Sequence, residues 1–239
     1  MPRKQRVLSD EAYSEIKRKI ITLELEPGQR IDDNQLSSDL SISRTPVREA
    51  LFRLGSEGLI DIDTTPGFLV KSIGLQDTAR LFEALIVVTT AVARIATRRT
   101  TDDELDLLEQ AGKEVEVAIE NRDYFNITAT NAKLHILEAE YAGNPYIEQM
   151  ATRIHDQAQR LAYLCFGGTI DFRHDLERHF GGVADDHRGY LEALRERDAD
   201  AAVASAVAHV HRFRTRVERY LESDAIKGYD LTDEELQLT

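Results

Sequence analysis

Residues 43–54 read SRTPVREALFRL, and residues 57–70 continue EGLIDIDTTPGFLV. Ser43 or Thr45 can cap a helix whose first turn holds Pro46, where a missing N–H costs nothing. The spacing predicts a helix from Arg44 to Glu57, ended by Gly58, with Val47, Leu51 and Leu54 as its inward stripe. Arg44 and Arg48, four apart, share the opposite face, with Thr45 beside them. Leu59 to Asp63 then alternates with period two, Thr64 to Gly67 has turn composition, and Phe68 to Val70 forms a second short strand.

Working outward, Glu11 to Leu25 is amphipathic: Tyr13, Ile16, Ile20 and Leu23 recur at helical spacing behind the candidate caps Ser9 and Asp10. Pro27-Gly28 stops that helix. Asn34 to Leu40 follows the candidate caps Asp32 and Asp33, and Ser41-Ile42 connects it to the helix starting at Arg44. Three helices and a hairpin are the outline of a winged helix-turn-helix. A recognition helix sets its N-terminal residues against base edges in the major groove, where arginine reads guanine through two acceptors. The competing reading is a small helical adaptor whose arginines are merely solvated.

The stretches SRTPVREALFRL, EGLI (57–60) and PGFLV (66–70), with PGQRI (27–31) upstream, resemble the GntR family of bacterial transcription regulators over residues 8–71. The resemblance implies DNA contacts from Arg44, Thr45 and Arg48, and close approach of a wing-tip glycine, Gly67, to the minor groove.

Composition is compatible with that reading. The chain has 239 residues, 42% hydrophobic and 31% charged, which describes a globular protein rather than a disordered one. Its single cysteine, Cys165, cannot form an internal disulfide and fits a reducing compartment, so a cytoplasmic location is expected. The most apolar stretch, Ala84 to Ala96, is interrupted by Thr89, Thr90 and Arg94 and is too short to span a bilayer. No apolar segment follows Arg3, Lys4 and Arg6, so no signal peptide is expected. The net charge of −13 is unevenly placed: residues 1–74 hold 11 basic and 12 acidic residues, whereas the remaining 165 hold 19 and 31. A nucleic-acid contact therefore belongs to the first part.

After Ser72-Ile73-Gly74 the strand patterning disappears. Helices are expected over Asp77 to Arg99, from a Thr101–Glu104 capping box to Glu120, over Asp123 to Tyr141, Pro145 to Phe166, Asp171 to Phe180, Val183 to Arg197 and Asp198 to Glu222. Gly167-Gly168 and Gly181-Gly182 are read as breaks, and Lys227 to Thr239 as a loosely ordered tail. The fold class is thus mostly α: a winged helix over 1–74, then an antiparallel bundle of six or seven helices over 75–239. No glycine-rich phosphate loop, GxSxG or CxxC occurs.

His135, with Asn131 one turn earlier, and His187 and His209 on the last two helices can converge inside such a bundle. Three neutral imidazoles and a side-chain oxygen suit a divalent transition metal: zinc first, then nickel, manganese or iron. On composition alone, histidines on helices are ordinary surface or core residues, the reading given to His155, His174, His179 and His211. NAKLH (131–135), GNPYI (143–147), DHRGYLEALRERDADAA (186–202) and AHV (208–210) resemble the all-helical FCD effector domain of FadR-type GntR regulators. That resemblance implies metal ligation by Asn131, His135, His187 and His209, with Asn131 replacing the more frequent carboxylate. It also exposes a departure. Where many relatives carry an arginine and a glutamate on the first helix, this chain has Leu85 and Thr89. Arg153, Arg160 and Tyr163 are the substitutes considered for binding an acid effector.

The expected protein is a homodimeric regulator of a palindromic operator, switched by a small carboxylate effector at a metal. The alternatives are a metal-dependent enzyme using the three histidines, with Glu138 or Asp186 as base, and a regulator whose bundle only dimerises.

Overall fold

The pattern around Tyr13 becomes α1, Arg3–Ile21. In this computed structural model, which describes residues 3–63, 67–166 and 173–222, α1 starts before Glu11 and ends before Leu25. Leu23 takes φ 60°, a left-handed backbone that no helix continues. Arg18 and Lys19 in the last turn reach past the end to Glu24, Lys19 at 3.0 Å. Asp10 does not cap the helix; it accepts from Arg53.

A short strand, β1 (Arg30–Ile31), precedes α2 (Asp33–Leu40) and α3 (Arg44–Ser56), and β2 (Ile60–Asp63) and β3 (Gly67–Val70) form the hairpin. Thr64, Thr65 and Pro66 of the expected turn lie outside the described residues. The sheet is antiparallel in the order β1-β3-β2, with Ile62 opposite Phe68 and Arg30 opposite Leu69. Two residues leave no alternation to read, so β1 was not legible. Gly28 places it: with φ +80° the glycine turns the chain, and its N–H donates to the Val70 carbonyl at 2.9 Å. Ile16, Ile20, Val47, Leu51, Leu54 and Val70 are fully buried between helices and sheet. Each contributes roughly 1.5–3 kcal/mol of apolar burial.

The remaining helices are α4 (Leu75–Arg99), α5 (Asp102–Glu120), α6 (Tyr124–Tyr141), α7 (Pro145–Phe166), α8 (Arg173–Arg195) and α9 (Ala199–Glu222). Both halves of the Thr101–Glu104 capping box form. Leu105, Leu108, Val115, Leu134 and Leu194 fill one core of the bundle. No helix among the described residues is long and apolar enough to cross a membrane.

One boundary needs correction. The expected break at Gly181-Gly182 does not exist: α8 runs unbroken through both glycines. Gly182 is a packing residue, since a Cβ there would fall 2.2 Å from Arg212 Nη1. The space lets Arg212 reach Asp186 with bonds of 2.7 and 3.1 Å. Two helical glycines cost about 1 kcal/mol each, less than the burial of Phe180 and Val183 on the same helix returns. The break at Gly167-Gly168, the helix start at Asp171 and the tail lie outside the described residues.

Candidate nucleic-acid interface and metal centre

α3 presents Arg44 and Thr45, both exposed, and Arg48, half-exposed, near its N-terminus. The two arginines are tethered by one carboxylate. Asp33, the first residue of α2, pairs with Arg44 Nη2 at 3.0 Å and Arg48 Nη1 at 2.5 Å. Asp32 performs the capping, accepting from the N–H groups of Asn34 and Gln35, which frees Asp33 for α3. Burial alone raises the Asp33 pKa, but the bonds and charges of Arg48 and Arg44 outweigh it and leave the group below its ordinary value. The Arg48 guanidinium also lies 5.6 Å from the Phe52 ring centre and 5.4 Å from that of Phe68. Gly67 opens β3.

Within the bundle, His135 (α6), His187 (α8) and His209 (α9) converge. Ring-nitrogen atoms of all three lie within 4.8 Å of one another, against the roughly 3.4 Å between two nitrogens of a tetrahedral zinc site. His135 Nε2 is 3.3 Å from His209 Nε2, and the His187 ring centre is 4.6 Å from that of His209. The opposite edge of His135 is fixed by Glu138, whose Oε2 lies 3.0 Å from Nδ1. Asn131, one turn before His135, lines the same cavity as His135 and His209.

The donor set fits a cation on a direct observation. Both ring nitrogens of His187, Nδ1 of His209 and Oδ1 of Asn131 are buried without a hydrogen-bond partner. Buried acceptors are rarely left unpaired. Burial pushes the His187 pKa down to about 3, His135 adding to the effect, and holds His209 well below the usual imidazole range. Both rings are therefore neutral at pH 7, as ligation requires.

Two histidines read as ordinary from sequence also face this cavity. His155 (α7) stacks on His135 with ring centres 4.7 Å apart, and His179 (α8) contributes to the far wall. His211 is exposed on the outer side of α9, and the His174 side chain lies outside the described residues. Asp186 is committed to Arg212 and lies 3.9 Å from His209 Nδ1.

The effector residues need correction too. Among the described residues, neither Arg153, Arg160 nor Tyr163 lines the cavity. All three lie on α7, which has two working faces. His155, Ala158, Gln159 and Ala162 look into the cavity. Arg153, Asp156, Gln157 and Arg160, at i, i+3, i+4 and i+7, look toward the winged helix. The Arg153 guanidinium packs on Gly58, 3.1 Å from where a Cβ would stand. Gln157 donates to the Gly58 carbonyl at 2.8 Å, and buried Arg160 donates to the Lys71 carbonyl. Asp156, 1% exposed, pairs with Lys17 of α1 at 2.7 Å. Tyr163 is half-buried.

Comparison with known proteins adds identity to geometry. The family described as "Bacterial regulatory proteins, gntR family" matches residues 8–70, and the "FCD domain" matches residues 80–212. The chain is 25% identical over 211 residues to the uncharacterized HTH-type transcriptional regulator YdhC of Bacillus subtilis (strain 168), covering 88% of this chain and 91% of that one. It is 22% identical over 218 residues to the HTH-type transcriptional repressor RspR of Escherichia coli (strain K12), covering 91% and 92%. The solved structure of E. coli McbR/YncC shares the fold, with a TM-score of 0.75 and 18% identity over 89% of this chain and 97% of that one.

Proposed function

Because the chain belongs to the GntR family of bacterial transcription regulators and carries an FCD domain, we propose that it binds a two-fold symmetric operator as a homodimer and is switched by a small organic acid at a metal in the helical cavity. The family makes it a DNA-binding regulator with a small-molecule effector, not an enzyme. Residues 1–74 form the DNA-binding part in this reading and 75–239 the effector and dimerisation part. Arg44, Thr45, Arg48 and Gly67 are the DNA contacts.

Asn131, His135, His187 and His209 hold the metal, and we assign zinc from three imidazoles and a carbonyl oxygen, a set that also accepts nickel, manganese or iron. When bound, the metal supplies a Lewis-acid position for an acid's oxygen. Glu138 orients His135 by accepting from Nδ1, which turns Nε2 inward. The observation that carries the metal reading is the convergence of one ring nitrogen from each of three histidines within 4.8 Å, with both nitrogens of buried His187 unpartnered.

Signal transfer follows from α7. A ligand that moves its cavity face, at His155 and Gln159, displaces the opposite face, where Asp156, Gln157 and Arg160 hold the winged helix. The ligand then favours one arrangement of the two DNA-binding units over another, pivoting at Ser72 to Gly74. The test is operator binding by fluorescence anisotropy for metal-free and zinc-reloaded protein, with and without candidate acids. Acid-dependent changes only in the reloaded sample support the reading; identical binding curves under all four conditions refute it.

A further inference from the structure

Among the described residues, no side chain lining the histidine cavity is Lys, Arg, Asp or Glu. That is an unusual wall for a pocket meant to hold an acid. The first bundle helix offers Leu85 and Thr89, and the Thr89 hydroxyl is turned back to the Leu85 carbonyl at 2.5 Å. The arginines nearby point elsewhere: Arg160 Nη2 donates to the Lys71 carbonyl, its Nε and Nη1 buried without partners, and Arg212 pairs with Asp186. Thr128, Asn131, Gln159 and His155 are the other polar members of the wall, and the remainder is apolar, with three phenylalanines. Phe166, His179 and Phe180 form a mutual cluster with ring centres 5.0–5.5 Å apart. Phe213, Val183 and Leu85 extend it.

We infer that the cavity selects a small aromatic monocarboxylate, its single acid group directed to the histidine centre and its ring seated among Phe166, Phe180 and Phe213. This rests on the metal reading above. One carboxylate finds its counter-charge at the metal. A second carboxylate meets no cationic side chain in the wall, and desolvation of that charge then opposes binding. The aromatic wall favours a ring by edge and face contacts as well as by buried area.

Zinc-loaded full-length protein, with metal content measured on the same sample, is titrated calorimetrically with benzoate, phthalate and gluconate. Benzoate differs from phthalate only by the second acid group. Benzoate binds at least about tenfold more tightly than either of the others. Ala162→Leu, which fills the apolar end, weakens benzoate by roughly tenfold at unchanged metal content. Leu85→Arg sets a cation in the wall and brings phthalate level with benzoate or past it; should that variant not fold, the parent and Ala162→Leu titrations carry the test. Parent protein that holds zinc yet binds phthalate or gluconate as tightly as benzoate, or binds no benzoate, overturns the ligand class and leaves the metal reading standing. Protein that takes up no zinc overturns both.

Discussion

Asp33 Oδ2 lies 2.5 Å from Arg48 Nη1, and the same carboxylate holds Arg44 at 3.0 Å. One acidic residue on α2 thus orients both arginines of α3, and under the proposed function it competes with DNA for them. Arg48→Ala is expected to cost about 1–3 kcal/mol of specific operator affinity, the size of a bidentate base contact. The fold is expected to persist at a modest stability cost, because Arg48 lies opposite the buried Val47, Leu51 and Leu54 and Arg44 still pairs with Asp33. Anisotropy titration at fixed salt checks this, and parental affinity in the variant rejects the face.

Asp33→Asn releases both guanidinium groups. Sequence-independent DNA binding is expected to strengthen and its salt dependence to steepen, as more cations reach phosphates. The ratio of operator to random-DNA affinity falls, since the arginines lose their fixed orientation. Titrations on both duplexes over a series of salt concentrations measure the two slopes, and unchanged slopes mean that Asp33 does not compete.

The Lys17–Asp156 pair joins α1 to α7 with the carboxylate almost fully enclosed. Lys17→Met leaves Asp156 buried without its cation, at a cost of roughly 2–3 kcal/mol; the lysine's partial exposure keeps this below the cost of splitting a fully buried pair. Lys17→Met with Asp156→Leu recovers most of that stability, yet removes a contact by which α7 holds the winged helix. Urea unfolding separates the variants. A double variant that retains the parental effector response of operator binding rules this contact out as a route for the signal.

Much of this molecule is legible in its sequence. Pro46 and the Val47–Leu51–Leu54 spacing announce α3, and the alternation of Leu59 to Asp63 announces the hairpin, because local chemistry decides both. The three convergent histidines were legible only with the order of the flanking helices. What stayed hidden depends on tertiary partners. Gly182 resembles a breaker until Arg212 is seen to need its space. Asp33 resembles a second cap until Asp32 is seen to suffice. Arg153 and Arg160 resemble pocket arginines because nothing in a helical period says which polar face meets the cavity and which meets the other domain. Glu138 was within reach, since three residues after His135 places it on the same helix face.

Glu138 acts on His135 Nδ1 at 3.0 Å. Glu138→Gln is expected to weaken metal affinity by about 10–100-fold, the usual cost of losing a partner behind a ligating imidazole. Competition with a chromophoric chelator reads this directly, and an unchanged affinity means that Glu138 only fills space.

Acid tests the buried rings. Burial holds His187 and His179 down to about 3, and His155 and His209 well below 6.5. In the unfolded chain each titrates near 6.5. Between those values the unfolded state binds more protons, so stability is present above 6.5 and is lost as pH falls. Metal-free protein is expected to lose roughly 2 kcal/mol by about pH 5 for each of His187 and His179, with His155 and His209 acting in the same direction. Urea unfolding at pH 7 and pH 5 gives the difference, and equal stabilities contradict the burial of these rings in solution.

The most direct test of the account is elemental analysis of extensively dialysed protein, paired with melting curves of the same sample. The histidine centre predicts one divalent transition-metal ion per chain. Chelation lowers the melting temperature by roughly 10 °C, as expected when about 4 kcal/mol of ligand-linked stability is removed, and added zinc restores it. His187→Ala abolishes the response, whereas His211→Ala, on the exposed side of α9, preserves it, and Asn131→Asp tightens the metal by adding a charged ligand. A metal-free protein whose melting ignores chelator, zinc and His187→Ala alike contradicts the centre and leaves the three histidines as ordinary bundle residues.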